Sequence, residues 1–132
     1  MRITLIGGST SLLEIDGLRI LTDPTFDPAQ SELTNGPVTL RRTAGPALQP
    51  VEIEPIDAVL LSHDQHYDNL DTSGRQFLPC ARRVLTTVSG AARLGGNALG
   101  LSPWAKSTLL RRLSMRISRS TDCIPGLCKI CG

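Results

Sequence analysis

The sequence predicts an α/β domain, and three observations carry that expectation. The chain opens with short strand-like runs separated by turn residues. Further on, β-branched strands alternate with short helical stretches. Between them a strongly apolar run, Ala58-Val59-Leu60-Leu61, feeds directly into Ser62-His63-Asp64-Gln65-His66-Tyr67-Asp68-Asn69-Leu70-Asp71. A buried strand that ends in a polar loop is how many α/β domains present their functional side chains.

Taken in order, Arg2 to Ile6 reads as a strand that Gly7-Gly8 breaks. Ser11 to Ile15 is a second strand. Asp16-Gly17 is a type I′ hairpin signal, because both residues tolerate positive φ. Leu18 to Thr22 returns as a third strand and stops at Asp23-Pro24, since proline donates nothing to a ladder. Asp23 is either a turn-initiating Asp before Pro or a functional residue at a strand end. Residues 27–55 contain five prolines and two glycines. The expectation there is an irregular surface connection, with a lid or substrate loop as the sharper alternative. Arg41-Arg42 within it could meet an anionic substrate.

Ile56 to Ser62 is a nearly continuous apolar strand, which implies burial on both faces. A short helix is expected within Gly74 to Ala81. Arg83 to Val88 is a β-branched run, predicted to lie parallel to the previous strand in a strand–helix–strand unit. Ser89 is placed to cap a short helix over Gly90 to Leu94 that Gly95-Gly96 ends.

Composition narrows the function classes. The chain has 132 residues and 40% apolar content, as expected of one globular domain with a modest core. No apolar run approaches the ~20 residues of a membrane span. No signal peptide is read at the start, so the expected location is cytoplasmic. A formal net charge of +2 implies no polyanionic partner. The expected partner is a small-molecule substrate, with neither nucleic acid nor membrane.

The His/Asp stretch holds both histidines of the protein and three of its twelve acidic side chains. Imidazole nitrogen and carboxylate oxygen are donors that suit zinc, iron and manganese. The stretch resembles the H-x-H-x-D-H signature of metallo-β-lactamase-fold hydrolases. Gly7-Gly8-Ser9-Thr10-Ser11-Leu12-Leu13-Glu14-Ile15 and Gly17-Leu18-Arg19-Ile20-Leu21-Thr22-Asp23-Pro24 are similar to the opening of its ascorbate-6-phosphate lactonase-like and phospholipase D-like branch. Leu94-Gly95-Gly96-Asn97-Ala98-Leu99-Gly100-Leu101-Ser102-Pro103-Trp104 reads like the same branch. The resemblance covers about residues 1–104 and implies the N-terminal half of a four-layer αββα sandwich.

The resemblance also implies one or two zinc ions, with manganese or iron as alternatives. In an intact member the metal generates a hydroxide that attacks a lactone, amide or phosphodiester. Anchored on Asp68, the pattern places Asp64, His66, Asp68 and Asn69 at the ligand positions, with Asp23 near the metal. Asp68 is also the residue expected to take part in catalysis. Two departures stand out. Asp64 occupies a histidine position while His63 comes one residue early, so either the loop shifts to use His63 or Asp64 ligates through oxygen. Asn69 replaces the last histidine, and no histidine follows His66. The expected ligand set is therefore His63, Asp64, His66 and Asp68, with hydrolysis impaired for want of downstream ligands. Gln65 and Tyr67 are expected to pack or face solvent. Asp71 is expected either to orient a ligand or to cap the next helix.

Composition changes after Trp104. Residues 1–104 hold 8 basic and 11 acidic side chains, and residues 105–132 hold 6 and 1. Three of the four cysteines, Cys123, Cys128 and Cys131, fall in the last ten residues. Their C-x4-C-x2-C spacing echoes part of an iron–sulfur pattern but lacks its fourth ligand. Residues 105–132 are thus read as a basic, poorly ordered tail with an out-of-frame or spliced-off character. Half a sandwich leaves one sheet face without cover, which predicts self-association or an interaction module in place of a catalyst.

Overall fold

The computed structural model describes residues 1–35 and 37–109. The opening meander forms as its alternation requires. β1 (Arg2–Gly7), β2 (Thr10–Ile15) and β3 (Leu18–Thr22) pair antiparallel in sequence. Asp16 and Gly17 turn between β2 and β3 with φ of 50° and 79°, the left-handed values a tight hairpin needs. From β3 onwards the sheet becomes parallel. β6 (Ala58–Leu60) lies beside β3, β7 (Val84–Thr87) beside β6, and β8 (Ala98–Leu101) beside β7. The six-stranded order is β1-β2-β3-β6-β7-β8. The fold is thus mixed α/β, as the sequence predicts.

Residues 27–55 are more regular than expected. β4 (Glu32–Asn35) and β5 (Val38–Arg41) form a separate two-stranded hairpin. A one-turn helix, α1 (Pro50–Ile53), follows it. Gln49 and Glu52 cap that turn reciprocally and Pro50 starts it, so its signal is local despite the surrounding prolines.

α2 (Thr72–Phe77) starts two residues before the stretch expected to be helical, and a 3₁₀ turn (Leu78–Cys80) extends it. α3 (Val88–Leu94) is capped by Thr87, whose hydroxyl accepts from the Gly90 amide, and not by Ser89. The Thr87 backbone is extended while residue 88 is already helical, and only the residue at that junction can reach back to the third amide. Gly95 ends the helix at φ 66°. β8 was not foreseen.

One face of the sheet carries the core. Leu12, Leu21, Val59 and Val84 from successive strands pack with Phe26, Ile53, Ile56, Leu70 and Phe77. Two glycines let the helices approach. A Cβ on Gly74 of α2 would lie 1.8 Å from the Pro24 carbonyl oxygen. One on Gly100 of β8 would lie 2.7 Å from the Val88 Cα.

The opposite face follows from the register. Ile3 pairs with Leu13 and Leu13 with Ile20, while Thr22, Leu60, Leu85 and Leu99 line up across the parallel strands. On it Ile3 is 59% exposed, Leu5 67%, Leu60 38% and Leu99 37%. The expectation that Ile56–Ser62 is buried on both faces therefore fails at Leu60. Among the described residues no helix is long and apolar enough to cross a membrane. The basic cysteine-containing tail lies mostly outside the described residues, and residues 102–109 form no regular element.

Candidate functional site

The His/Asp loop emerges at the C-terminal end of β6, beside the C-terminal end of β3. Parallel strands point their carboxyl ends the same way, and that rim is where open α/β sheets collect functional groups. Asp23, just past β3, grips the start of the loop. Its φ is +30°, and its carboxylate accepts from the Ser62 amide at 2.7 Å and from the Asn69 side-chain amide at 3.2 Å. Asp23 thus does more than initiate a turn, since it joins residues 62 and 69 across the loop.

Asn69 also donates to Ser62 Oγ at 3.0 Å, and Ser62 Oγ is hydrogen-bonded to His63 Nδ1 at 3.0 Å. The rings of His63 and His66 meet edge to face, with centroids 4.7 Å apart. The loop then closes in a turn in which the Asn69 and Leu70 amides donate to the His66 carbonyl. Ser9, from the β1–β2 turn, donates to the Asp68 carbonyl. Gln65, His66, Tyr67 and Asp68 are exposed, and His63 is half-buried.

Asp64 goes elsewhere. It is 6% exposed, and both its oxygens are taken by Arg93 of α3, at 2.9 Å from Nε and 2.5 Å from Nη2. Arg75 of α2 binds its carbonyl at 2.8 Å. The Arg93 hydrogen bonds hold the Asp64 carboxyl below the usual carboxylate range, against the opposing pull of burial. Asp64, expected as a metal ligand, is in this structure held by a bidentate guanidinium that neutralises it. Of the two alternatives left open by the sequence, the geometry brings His63, and not Asp64, to His66.

Asp71 is buried and caps α2. Oδ1 accepts from the Gly74 amide at 2.7 Å, while Oδ2 accepts from the Asp27 amide at 2.7 Å and from Arg42 Nη1 at 2.6 Å. The capping alternative for Asp71 therefore holds. Arg42 is committed to this carboxylate and is not presented to a substrate. Arg93, Arg75, Arg42 and Ser9 had no local signal in the sequence, because each reaches the loop from a distant element.

Among the described residues, no three His, Cys, Asp or Glu side chains group so as to hold a metal ion. Catalytic zinc uses about three protein ligands and an open position. Two adjacent imidazoles with Asp64 locked to Arg93 do not fit that requirement. A shallow trough of about 420 Å³ lies next to the loop, lined by Asp23, Leu60, Ser62, Leu85, Thr87 and Leu101 among others.

Residues 2–110 match the family model described as the beta-lactamase superfamily domain. The chain belongs to that family. Members of the superfamily and solved structures similar to this chain are consistent with the fold. An uncharacterised protein of Mycobacterium tuberculosis is 43% identical over 72 residues, covering 54% of this chain and 18% of its own length. The N-acyl-phosphatidylethanolamine-hydrolyzing phospholipase D 1 of Caenorhabditis elegans is 26% identical over 117 residues, covering 80% of this chain and 32% of the relative.

Among solved structures, isothiocyanate hydrolase from Delia radicum gut bacteria superposes with a TM-score of 0.64 at 23% identity, over 77% of this chain and 42% of that one. A possible metal-dependent hydrolase from Veillonella parvula gives 0.56 at 19% identity, over 70% and 37%. The chain therefore spans less than half the length of each. The architecture is that of one half of the metallo-β-lactamase superfamily fold.

Proposed function

We propose that this chain carries the first half of a metal-dependent hydrolytic centre and that, by itself, it is impaired as a catalyst. The observation that carries the reading is the edge-to-face pair of His63 and His66 at the rim of the parallel strands. The reaction class is hydrolysis of a small-molecule lactone, amide or phosphodiester. It is supported by superfamily membership and by the hydrolase names of the similar proteins. Zinc, with manganese or iron as alternatives, is the cation such nitrogen donors suit. Asp68 is the remaining acid of the loop proposed to act with the pair. A cytoplasmic setting, free of nucleic acid and membrane, is part of the same proposal. The impairment rests on Asp64, whose carboxylate Arg93 occupies, and on the absence of any histidine after His66.

Metal analysis of the purified protein, with assays on lactone and phosphodiester substrates, tests this. The expected result is metal well below one ion per chain, lost on His66→Ala, and turnover at the buffer rate. A firmly held stoichiometric ion with measurable turnover would overturn the impairment. A second reading, a non-catalytic interaction module that self-associates, is favoured by the bare face bearing Ile3, Leu5, Leu60 and Leu99. A sedimentation measurement that finds only monomer at high concentration removes that reading.

A further inference from the structure

We propose that Arg42 is a positioning residue: the β4–β5 hairpin is a latch that sets the His63–His66 loop through Asp71. The inference uses the site identified above but not its chemistry, and its test reads geometry without metal or substrate.

The hairpin lies outside the main sheet, and Arg42, immediately after β5, reaches back from it into the body of the protein. Its Nη1 donates to Asp71 Oδ2 at 2.6 Å and to the Asp27 carbonyl at 3.2 Å. Its Nη2 donates to Thr25 Oγ1 at 2.8 Å and to the Thr25 carbonyl at 3.4 Å. A single guanidinium thus joins three residues, and only a planar fork with several donors does this at once. The Arg42 backbone is fixed as well, since its amide donates to Ser31 and its carbonyl accepts from Gln30.

Asp71 is the fixed far end of the His loop. It follows Leu70, which is buried, and the His66–Leu70 turn. Its carboxylate is 1% exposed, and Arg42 is the cation paired with it among the described residues. The acids at this point are reciprocal. The Asp27 amide donates to Asp71, and the Ser73 amide donates to Asp27 Oδ1 at 2.9 Å. Two carboxylates therefore converge on the first turn of α2, with one arginine to balance them. Without Arg42 the buried Asp71 charge loses its counterion, a costly state that the loop relieves by moving Asp71 towards water. Such a movement pulls on Leu70 and on the His66 turn directly. The other end of the loop, held by Asp23 at Ser62, stays in place, so the two imidazoles change their mutual orientation.

The test compares Arg42→Ala, Arg42→Lys and the exposed hairpin control Arg41→Ala by imidazole nitrogen–proton NMR and backbone hydrogen exchange. In Arg42→Ala the ring signals of His63 and His66 are expected to shift. Exchange of amides 66–75 should rise roughly tenfold or more, while β1–β3 keep their protection. Arg42→Lys should lie between this variant and the parent, and Arg41→Ala should match the parent. The proposal is overturned if Arg42→Ala leaves both ring signals in place and confines its effects to residues 28–45. If Arg42→Ala does not fold, Arg42→Lys decides: displaced ring signals support the latch, and parent-like signals refute it.

Discussion

The two sides of the His63–Asp71 loop are built on opposite terms. The inner side, Asp64, Leu70 and Asp71, is buried, and both its carboxylates are answered by arginines and amides. The outer side, with His63, His66 and Asp68, is half-buried or exposed, and its histidines touch chiefly each other and Ser62. The inner side has the arrangement of a support for a rigid site. The outer side has two of the donors such a site uses. The difference teaches that scaffold and ligand set are separable, because the first depends on buried ion pairs and the second on exposed donors.

Breaking the inner side should have the largest effect. Asp71→Ala removes the α2 cap and leaves Arg42 without its carboxylate, so a loss of about 3–5 kcal/mol in chemical unfolding is expected. Gly74→Ala attacks the same corner sterically. The added methyl meets the Pro24 carbonyl, and a loss of about 2–3 kcal/mol is expected, with the 24–27 segment losing exchange protection.

Asp64→Asn should cost less, about 1 kcal/mol, because Arg93 is partly in water and its charge is screened. The pH dependence gives this variant a sharper signature. The Asp64 carboxyl titrates lower in the folded chain than in the unfolded one. Its contribution is therefore fully present above the ordinary carboxylate range, about pH 4–5, and fades as acid takes the pH down through the lowered folded value. Asp64→Asn should lack that acid-side decline in a series of unfolding curves. On the outer side His66→Ala should change stability by no more than about 0.5 kcal/mol. A stability loss comparable to that of Asp71→Ala would erase the contrast between the two sides.

The opening meander and the parallel β6–β7 pair were legible because local pattern decides them. Asp16-Gly17 carries the turn in its own φ preferences, and three of the four residues of the Val84–Thr87 run are β-branched. The β4–β5 hairpin was hidden because each strand has only four residues and prolines interrupt the segment, so no period could establish itself. The cap of α3 slipped from Ser89 to Thr87 because both residues can cap, and the path of the chain out of β7 chose between them. At the site, the sequence left His63 and Asp64 as equal candidates to join His66, and only the folded loop brings the two imidazoles together. The fate of Asp64 was not legible either. Its partner Arg93 is 29 residues away, and no rule of spacing links a loop acid to the last turn of a later helix.

The strand order has a consequence for how the molecule assembles. Apart from the detached hairpin, each new strand is laid beside the one made before it, from β1 at one margin to β8 at the other. A polypeptide leaving the ribosome can therefore lengthen its sheet in the order of translation, never needing to insert a late strand between two early ones. Among the described residues β8 is the margin strand, and its outward backbone groups are where one further strand would find partners.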